Sequence, residues 1–210
     1  MSGDIEAHLG KFIRKRRLAL AGNGRIAKGY SSEIYLVKNS KNKKFALKIE
    51  KENSPRREMC EKEAANLGLA NKYGIGPKLI DYDIKARIIL MEFIEGKTFN
   101  KWLLDENKAP KKKQLLKIIS DLLLQAKIMD EIGLDHGQLA GKGANIIVKR
   151  NLRPVIIDFE KASQKRKCHN VNQLKSFLFR NPNSGIAKRV RNIMKIKKLF
   201  NISEHFIHKK

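Results

Sequence analysis

Residues 134–161 read LDHGQLAGKGANIIVKRNLRPVIIDFEK. Two short apolar runs stand out: Ile146, Ile147 and Val148, then Val155, Ile156 and Ile157. A turn over residues 151–154 separates them. Runs this short, bounded by turn-forming residues, read as buried strands of one hairpin. Antiparallel pairing would bring Asn145, just before the first run, and Asp158, just after the second, to one end of it. An amide oxygen and a carboxylate held there suit a hard cation such as Mg²⁺, which takes oxygen ligands. Taken alone, the same residues fit an ordinary hairpin equally well, because Asn and Asp are common at turns. The rest of the chain has to decide.

At 210 residues the chain fits one domain or two small lobes. A hydrophobic content of 41% suffices for a true core and excludes a disordered chain. Lys and Arg number 46 against 21 acidic residues, a net charge of +25. Such a surface attracts polyanions, including RNA and ribonucleoprotein. A proteome-wide bias toward Lys would give the same balance, so charge alone does not name a partner. Cys60 and Cys168 form no CxxC and read as free thiols of a reducing cytosol. There is no secretory h-region and no run of about 18 apolar residues, so we expect a soluble, cytoplasmic protein with no membrane partner.

Residues 4–20 have a helical pattern, with Ile5, Leu9, Phe12, Ile13 and Leu18 on a loose apolar face. The cluster Arg14, Lys15, Arg16 and Arg17 makes residues 1–23 an N-terminal basic helix. From Arg25 the period changes to that of strands, with Ile26, Ile34 and Leu36 alternating. A polar turn over residues 39–44 leads to a return strand, Phe45 to Ile49. Gly29, Ser31 and Ser32 are small enough for backbone N–H groups to approach an anion. Lys48 lies between Leu47 and Ile49. It faces solvent if they face the core; otherwise it needs a carboxylate or phosphate partner. Residues 56–73 form a helix after Ser54 and Pro55, and carry Glu58, Glu61 and Glu63 as candidate partners. Strands follow at 78–82 and 88–91, the latter ending at Glu92. Glu95 and Gly96 mark a boundary between a strand-rich part, 24–94, and a helical part, 95–210. The helical part begins with a short helix at 100–104. A long helix at 111–132 carries a wide apolar stripe, and two more helices follow at 171–179 and 185–200. The last carries Lys188, Arg189, Arg191, Lys195, Lys197 and Lys198, a solvated face or a nucleic-acid contact.

In order, the chain offers a small-residue hairpin, Lys48 on the return strand, Glu63 on the next helix, Met91-Glu92, a long helix, a His136 loop ending at Asn145, and Asp158-Phe159. This order resembles the protein-kinase-like fold, an α+β architecture of a strand-rich N-lobe and a short helical C-lobe. The resemblance implies Mg-ATP bound between the lobes. Gly29, Ser31 and Ser32 would face the phosphates, and Lys48 would grip them with Glu63 as its ion-pair partner. Met91, Glu92 and Ile94 would form the hinge at the adenine. Asn145 and Asp158 would hold Mg²⁺, and Lys142 would neutralise the transferred phosphoryl group.

Within that fold, Gly29, Ser32 and Ile34 without a full GxGxxG resemble the RIO kinases and the small kinase of the KEOPS complex. The nearest likeness is to small archaeal Ser/Thr kinases of the RIO lineage, which implies a protein substrate. The Ile157-Asp158-Phe159-Glu160 run is also similar to aminoglycoside and choline phosphotransferases, which would imply a small-molecule acceptor. His136-Gly137-Gln138-Leu139 resembles the HGDL catalytic loop, but Gln138 stands where the catalytic Asp belongs. An amide is no general base. Gln138 could position the acceptor hydroxyl, and Asp135 could act as base only in a rearranged loop. Counting back from Asn145 puts Ala140 at the base position. A pseudokinase or ATPase module contacting RNA is the third reading.

Overall fold

A computed structural model of the chain describes residues 3–51, 58–141 and 143–196. The chain divides into two compact units, Met1–Ile94 and Glu95–Lys210. The first is built on an antiparallel sheet; the second is mainly helical. The fold class is therefore α+β.

In the first unit the sheet has the order β1-β2-β3-β5-β4. Its strands are β1 (Ala19–Lys28), β2 (Ser32–Lys38), β3 (Lys44–Glu50), β4 (Leu79–Asp83) and β5 (Ile88–Glu92). β3 is central and pairs in register with β2 from Lys38↔Lys44 to Ser32↔Glu50. It is buried from Phe45 onward, on both faces. On one face Phe45, Leu47 and Ile49 join Val37, Ile88, Leu90, Phe12 and Leu18 in a single cluster. Leu9 and Ile13 pack against it, so the apolar side of α1 (Gly3–Lys15) covers this face. The side chain of Ile5 lies outside the described residues.

This corrects the expectation of a basic helix over residues 1–23. The helix stops at Lys15, Arg17 turns into the left-handed region at φ 50°, and the N–H of Leu18 returns to the Ile13 carbonyl at 3.1 Å. Residues 19–23 belong to the sheet. Arg16 leaves the basic cluster to ion-pair with Asp81 of β4 and to lie 3.7 Å from the centre of the Phe12 ring. β1 is an edge strand with register shifts around Arg25, and its Leu20 and Ile26 are exposed. Ile26 lies in a strand, as its alternation suggested, but is not buried, because a strand with one neighbour and a bulge need not bury a regular face.

The other face of β3 meets α2 (Met59–Lys72), which buries Met59, Cys60, Glu63, Ala64, Asn66, Leu67 and Ala70. The Ser54-Pro55 start signal falls outside the described residues. The backbone N–H of Cys60 donates to the Glu50 carboxylate at 3.1 Å, and its thiol lies 3.3 Å from the Ile88 carbonyl oxygen. Burial, reinforced by the carboxylates around it, pushes the Cys60 thiol pKa up to about 12.

The second unit is organised on α4 (Lys112–Glu131). This helix buries Leu115, Ile118, Ile119, Leu122, Ala126 and Met129 at the three- and four-residue spacing of one helix face. Each fully buried Leu or Ile stabilises by roughly 1.5–3 kcal/mol, so this stripe dominates the unit. Before it come β6 (Gly96–Thr98) and α3 (Phe99–Leu103); after it come β7 (Ile146–Lys149) and β8 (Pro154–Ile156). The strands form a three-stranded sheet in the order β6-β7-β8. β6 was not expected from the sequence. Gly96 admits it, because a Cβ there would collide with the Val148 carbonyl. Beyond, α5 (Asn170–Lys175) widens into one π-turn over Ser176–Arg180 that buries Phe177, Leu178 and Phe179. α6 (Gly185–Met194) is capped by Ser184, whose hydroxyl accepts from the Ala187 N–H at 3.4 Å. Lys197 and Lys198 lie outside the described residues. Among the described residues no helix is long and apolar enough to cross a membrane.

Candidate functional site

The first unit holds a hairpin tip and an ion pair. The tip between β1 and β2 is closed by Gly29, whose N–H donates to the Ser32 carbonyl at 2.8 Å. Ser31 and Ser32 are buried, and Tyr30 between them and Gly29 projects outward, 75% exposed. Lys48 sits on the α2 side of β3, and its Nζ lies 2.6 Å from Glu63 Oε2. Both side chains are nearly inaccessible, at 7% and 3%. An ammonium buried this deeply needs a carboxylate close by. Glu61 is exposed, so of the two best-matching glutamates Glu63 is the partner. At the end of β5, Met91 is buried and Glu92 is tied to the entry of β4. The Glu92 N–H donates to the Lys78 carbonyl at 2.8 Å, and its carboxylate accepts from the Lys78 N–H at 3.3 Å. Ile94, also buried, closes the unit.

The second unit holds the β7–β8 hairpin. β7 and β8 pair Ile146 with Ile156, and the Ile157 N–H donates to the Asn145 carbonyl at 2.9 Å. Asn145 therefore stands opposite Ile157, with Asp158 one residue beyond. Asp158 has φ 67° and ψ 73°. Few non-glycine residues adopt this left-handed conformation, and Asp tolerates it better than most. Such outliers concentrate at functional sites. The Asn145 amide nitrogen lies 3.5 Å from the Gln138 carbonyl, which leaves its side-chain oxygen as the ligand atom for a cation. An amide oxygen and a carboxylate at the same end of a hydrogen-bonded hairpin are hard donors and fit Mg²⁺.

His136 locks this arrangement from behind. It is fully buried, its Nε2 lies 3.1 Å from the Ile157 carbonyl oxygen, and its ring meets Phe159 edge-on at 5.0 Å. A carbonyl only accepts, so Nε2 carries the proton. Nδ1 is buried with no hydrogen-bond partner. Burial pushes the imidazole pKa below its usual value, against the opposing pull of the Ile157 carbonyl and the Asp158 and Asp135 charges.

Asp135 is also buried, but both carboxylate oxygens are engaged. Oδ2 accepts from Arg166 Nε at 2.9 Å and Oδ1 from Gln173 Nε2 at 3.2 Å. These contacts make it an anchor for the segment after Asp158, not a free base. Gln138 is half-buried on the loop, and Ala140 is exposed. Lys142 lies outside the described residues. Gly137, at φ 75°, has no room for a Cβ against Arg166 and the Lys161 carbonyl.

Sequence reasoning missed the support for this loop. Asn170, fully buried, accepts from the His136 N–H at 2.9 Å and donates to the Leu134 carbonyl at 2.8 Å. Asp130 at the end of α4 accepts from the Asn170 N–H, the Asn170 amide and the Val171 N–H at 2.9, 2.8 and 3.1 Å. Some 40 residues separate Asp130 from these partners, and no local pattern marks the pairing.

The chain is similar to Uncharacterized protein MJ1211 of Methanocaldococcus jannaschii, with 32% identity over 108 residues, 50% of this chain and 84% of that protein. The RIO domain family matches residues 34–181, a span running from β2 through the end of α5 and its π-turn and including Lys48, Glu63, Asn145 and Asp158. A match over more than half of the sequence places the chain in the RIO domain family, whose members are atypical protein-kinase-like proteins.

Proposed function

We propose that this protein binds Mg-ATP and transfers the γ-phosphoryl group to a Ser or Thr of a protein substrate. RIO proteins form an atypical kinase family that uses ATP and Mg²⁺. The observation that carries the reading is the buried Lys48–Glu63 pair at 2.6 Å, a strand lysine held by a helix glutamate as in the kinase element that orients nucleotide phosphates. In this reading Lys48 orients the phosphates and Gly29, Ser31 and Ser32 line them. Met91, Glu92 and Ile94 border the adenine, and Asn145 and Asp158 hold the metal. Lys142 offsets charge on the moving phosphoryl group, and Gln138 orients the acceptor hydroxyl. Phosphoryl transfer depends mainly on positioning and charge stabilisation, so a chain without a carboxylate at Gln138 retains part of its catalysis.

A second reading has its own support. Asp135 is fully engaged by Arg166 and Gln173, and Gln138 cannot accept a proton usefully. Both point to nucleotide binding with slow transfer or none. One experiment separates the two. Mg-dependent ATP binding and radiolabel transfer are measured for wild type, Lys48→Ala and Asp158→Ala. Transfer to protein that both substitutions abolish supports the kinase. Binding without transfer supports the second reading. Absence of binding by the wild type overturns both.

A further inference from the structure

Lys51, the last described residue after β3, bonds to three consecutive residues of the β1–β2 tip. Its Nζ donates to the Gly29 carbonyl at 2.6 Å and the Tyr30 carbonyl at 3.3 Å. Its backbone N–H donates to the Ser31 carbonyl at 2.8 Å. The nearby carboxylate of Glu33 is engaged elsewhere, accepting from the Tyr35 hydroxyl at 2.7 Å and from Arg25 at 3.3 Å. The ammonium is thus spent on backbone oxygens.

Two physical consequences follow. A tip that receives phosphate must present donors, and bare carbonyl oxygens there would repel the anion. A cation seated on two of them cancels their negative ends and leaves the tip with a net positive field. The same three bonds, together with the Gly29–Ser32 closure, also hold the tip's shape. Lys48 and Lys51 are separate devices. Lys48 is buried and paired with Glu63, whereas Lys51 is half-exposed and paired with the loop.

We infer that Lys51 is a positioning residue for the nucleotide's phosphates, acting through the Gly29–Tyr30–Ser31 tip that it clasps and charges. The inference rests on the nucleotide-binding reading above. It is tested by calorimetric titration of wild type, Lys51→Met and Lys51→Arg with Mg-ATP, Mg-ADP and adenosine, with thermal unfolding as the control for folding. Lys51→Met keeps the length of the side chain and removes its charge. We expect it to weaken Mg-ATP about tenfold, Mg-ADP less and adenosine not at all, which corresponds to the loss of about one charge-assisted contact. Lys51→Arg should recover most of the loss. Equal weakening of all three ligands, or none, overturns the inference while leaving nucleotide binding intact. Failure of the wild type to bind any of the three overturns nucleotide binding itself, and the inference with it.

Discussion

Glu63 and Lys48 hold each other in a place where neither charge would be stable alone. Removing one partner of a buried ion pair costs more than replacing both with apolar groups of similar size. Glu63→Ala should therefore destabilise by about 3 kcal/mol, read as a shift in the urea midpoint. The double change Lys48→Met with Glu63→Leu should cost clearly less than Glu63→Ala alone, and a double variant no more stable than the single would contradict this account. His136 gives a second prediction at this scale. In the unfolded chain its imidazole takes up a proton near the ordinary value of 6.5, whereas burial holds the folded form neutral to lower pH. The unfolded state therefore binds more protons as pH falls below about 6.5, and the His136 contribution to stability is lost over that range. Unfolding temperatures measured from pH 8 to pH 5 should decline more steeply in wild type than in His136→Phe. The neutral substitution should cost about 1 kcal/mol at pH 8 through the lost bond to Ile157. Parallel curves would remove His136 from the explanation.

α5 depends on a residue it does not contain. Asp130 satisfies two backbone N–H groups at its start and the Asn170 amide, which in turn supports His136 and Leu134. Asp130→Ala should cost about 2–3 kcal/mol, more than an ordinary cap, since buried donors are left without an acceptor. Guanidinium unfolding measures this, and Asp130→Asn should restore part of it. A cost below about 0.5 kcal/mol would mean that water replaces the carboxylate. The elements differ in how far their sequences announced them. α4 was legible because its stripe is long and faces one core. The β7–β8 hairpin was legible because two apolar runs flank one turn. β6 was not, because three residues without alternation become a strand only by lying beside β7. The end of α1 was misread because Arg16 and Arg17 extend a basic run that the backbone interrupts. Lys48 lay open between two readings until Glu63 could be set beside it, and the Asp130–Asn170 support joins elements too distant for any sequence window.

The whole chain carries a net charge of +25, and ion pairs on its exposed surface offset little of it. Those on exposed helix faces, such as Lys117–Asp121 and Lys127–Glu131, are each worth about 0.5 kcal/mol or less. Salt weakens these small attractions, but it also screens the larger mutual repulsion of the cationic excess. At about 0.1 M ionic strength the screening length is already near 10 Å. The melting temperature should therefore rise by a few degrees between low salt and about 0.5 M NaCl, and a fall would show that specific pairs outweigh the net charge. A last consequence follows from the two cysteines. The Cys60 thiol is buried against Ile88 with its pKa near 12, and Cys168 is partly open. Only the thiolate reacts with a maleimide. The native chain should take its first label at Cys168, at pH 8 more slowly than a fully exposed thiol because burial raises that pKa too. The second should arrive only as often as α2 lifts from the sheet. The chain thus carries its own stopwatch: the delay between the first label and the second counts the openings of the first unit, with no cysteine introduced.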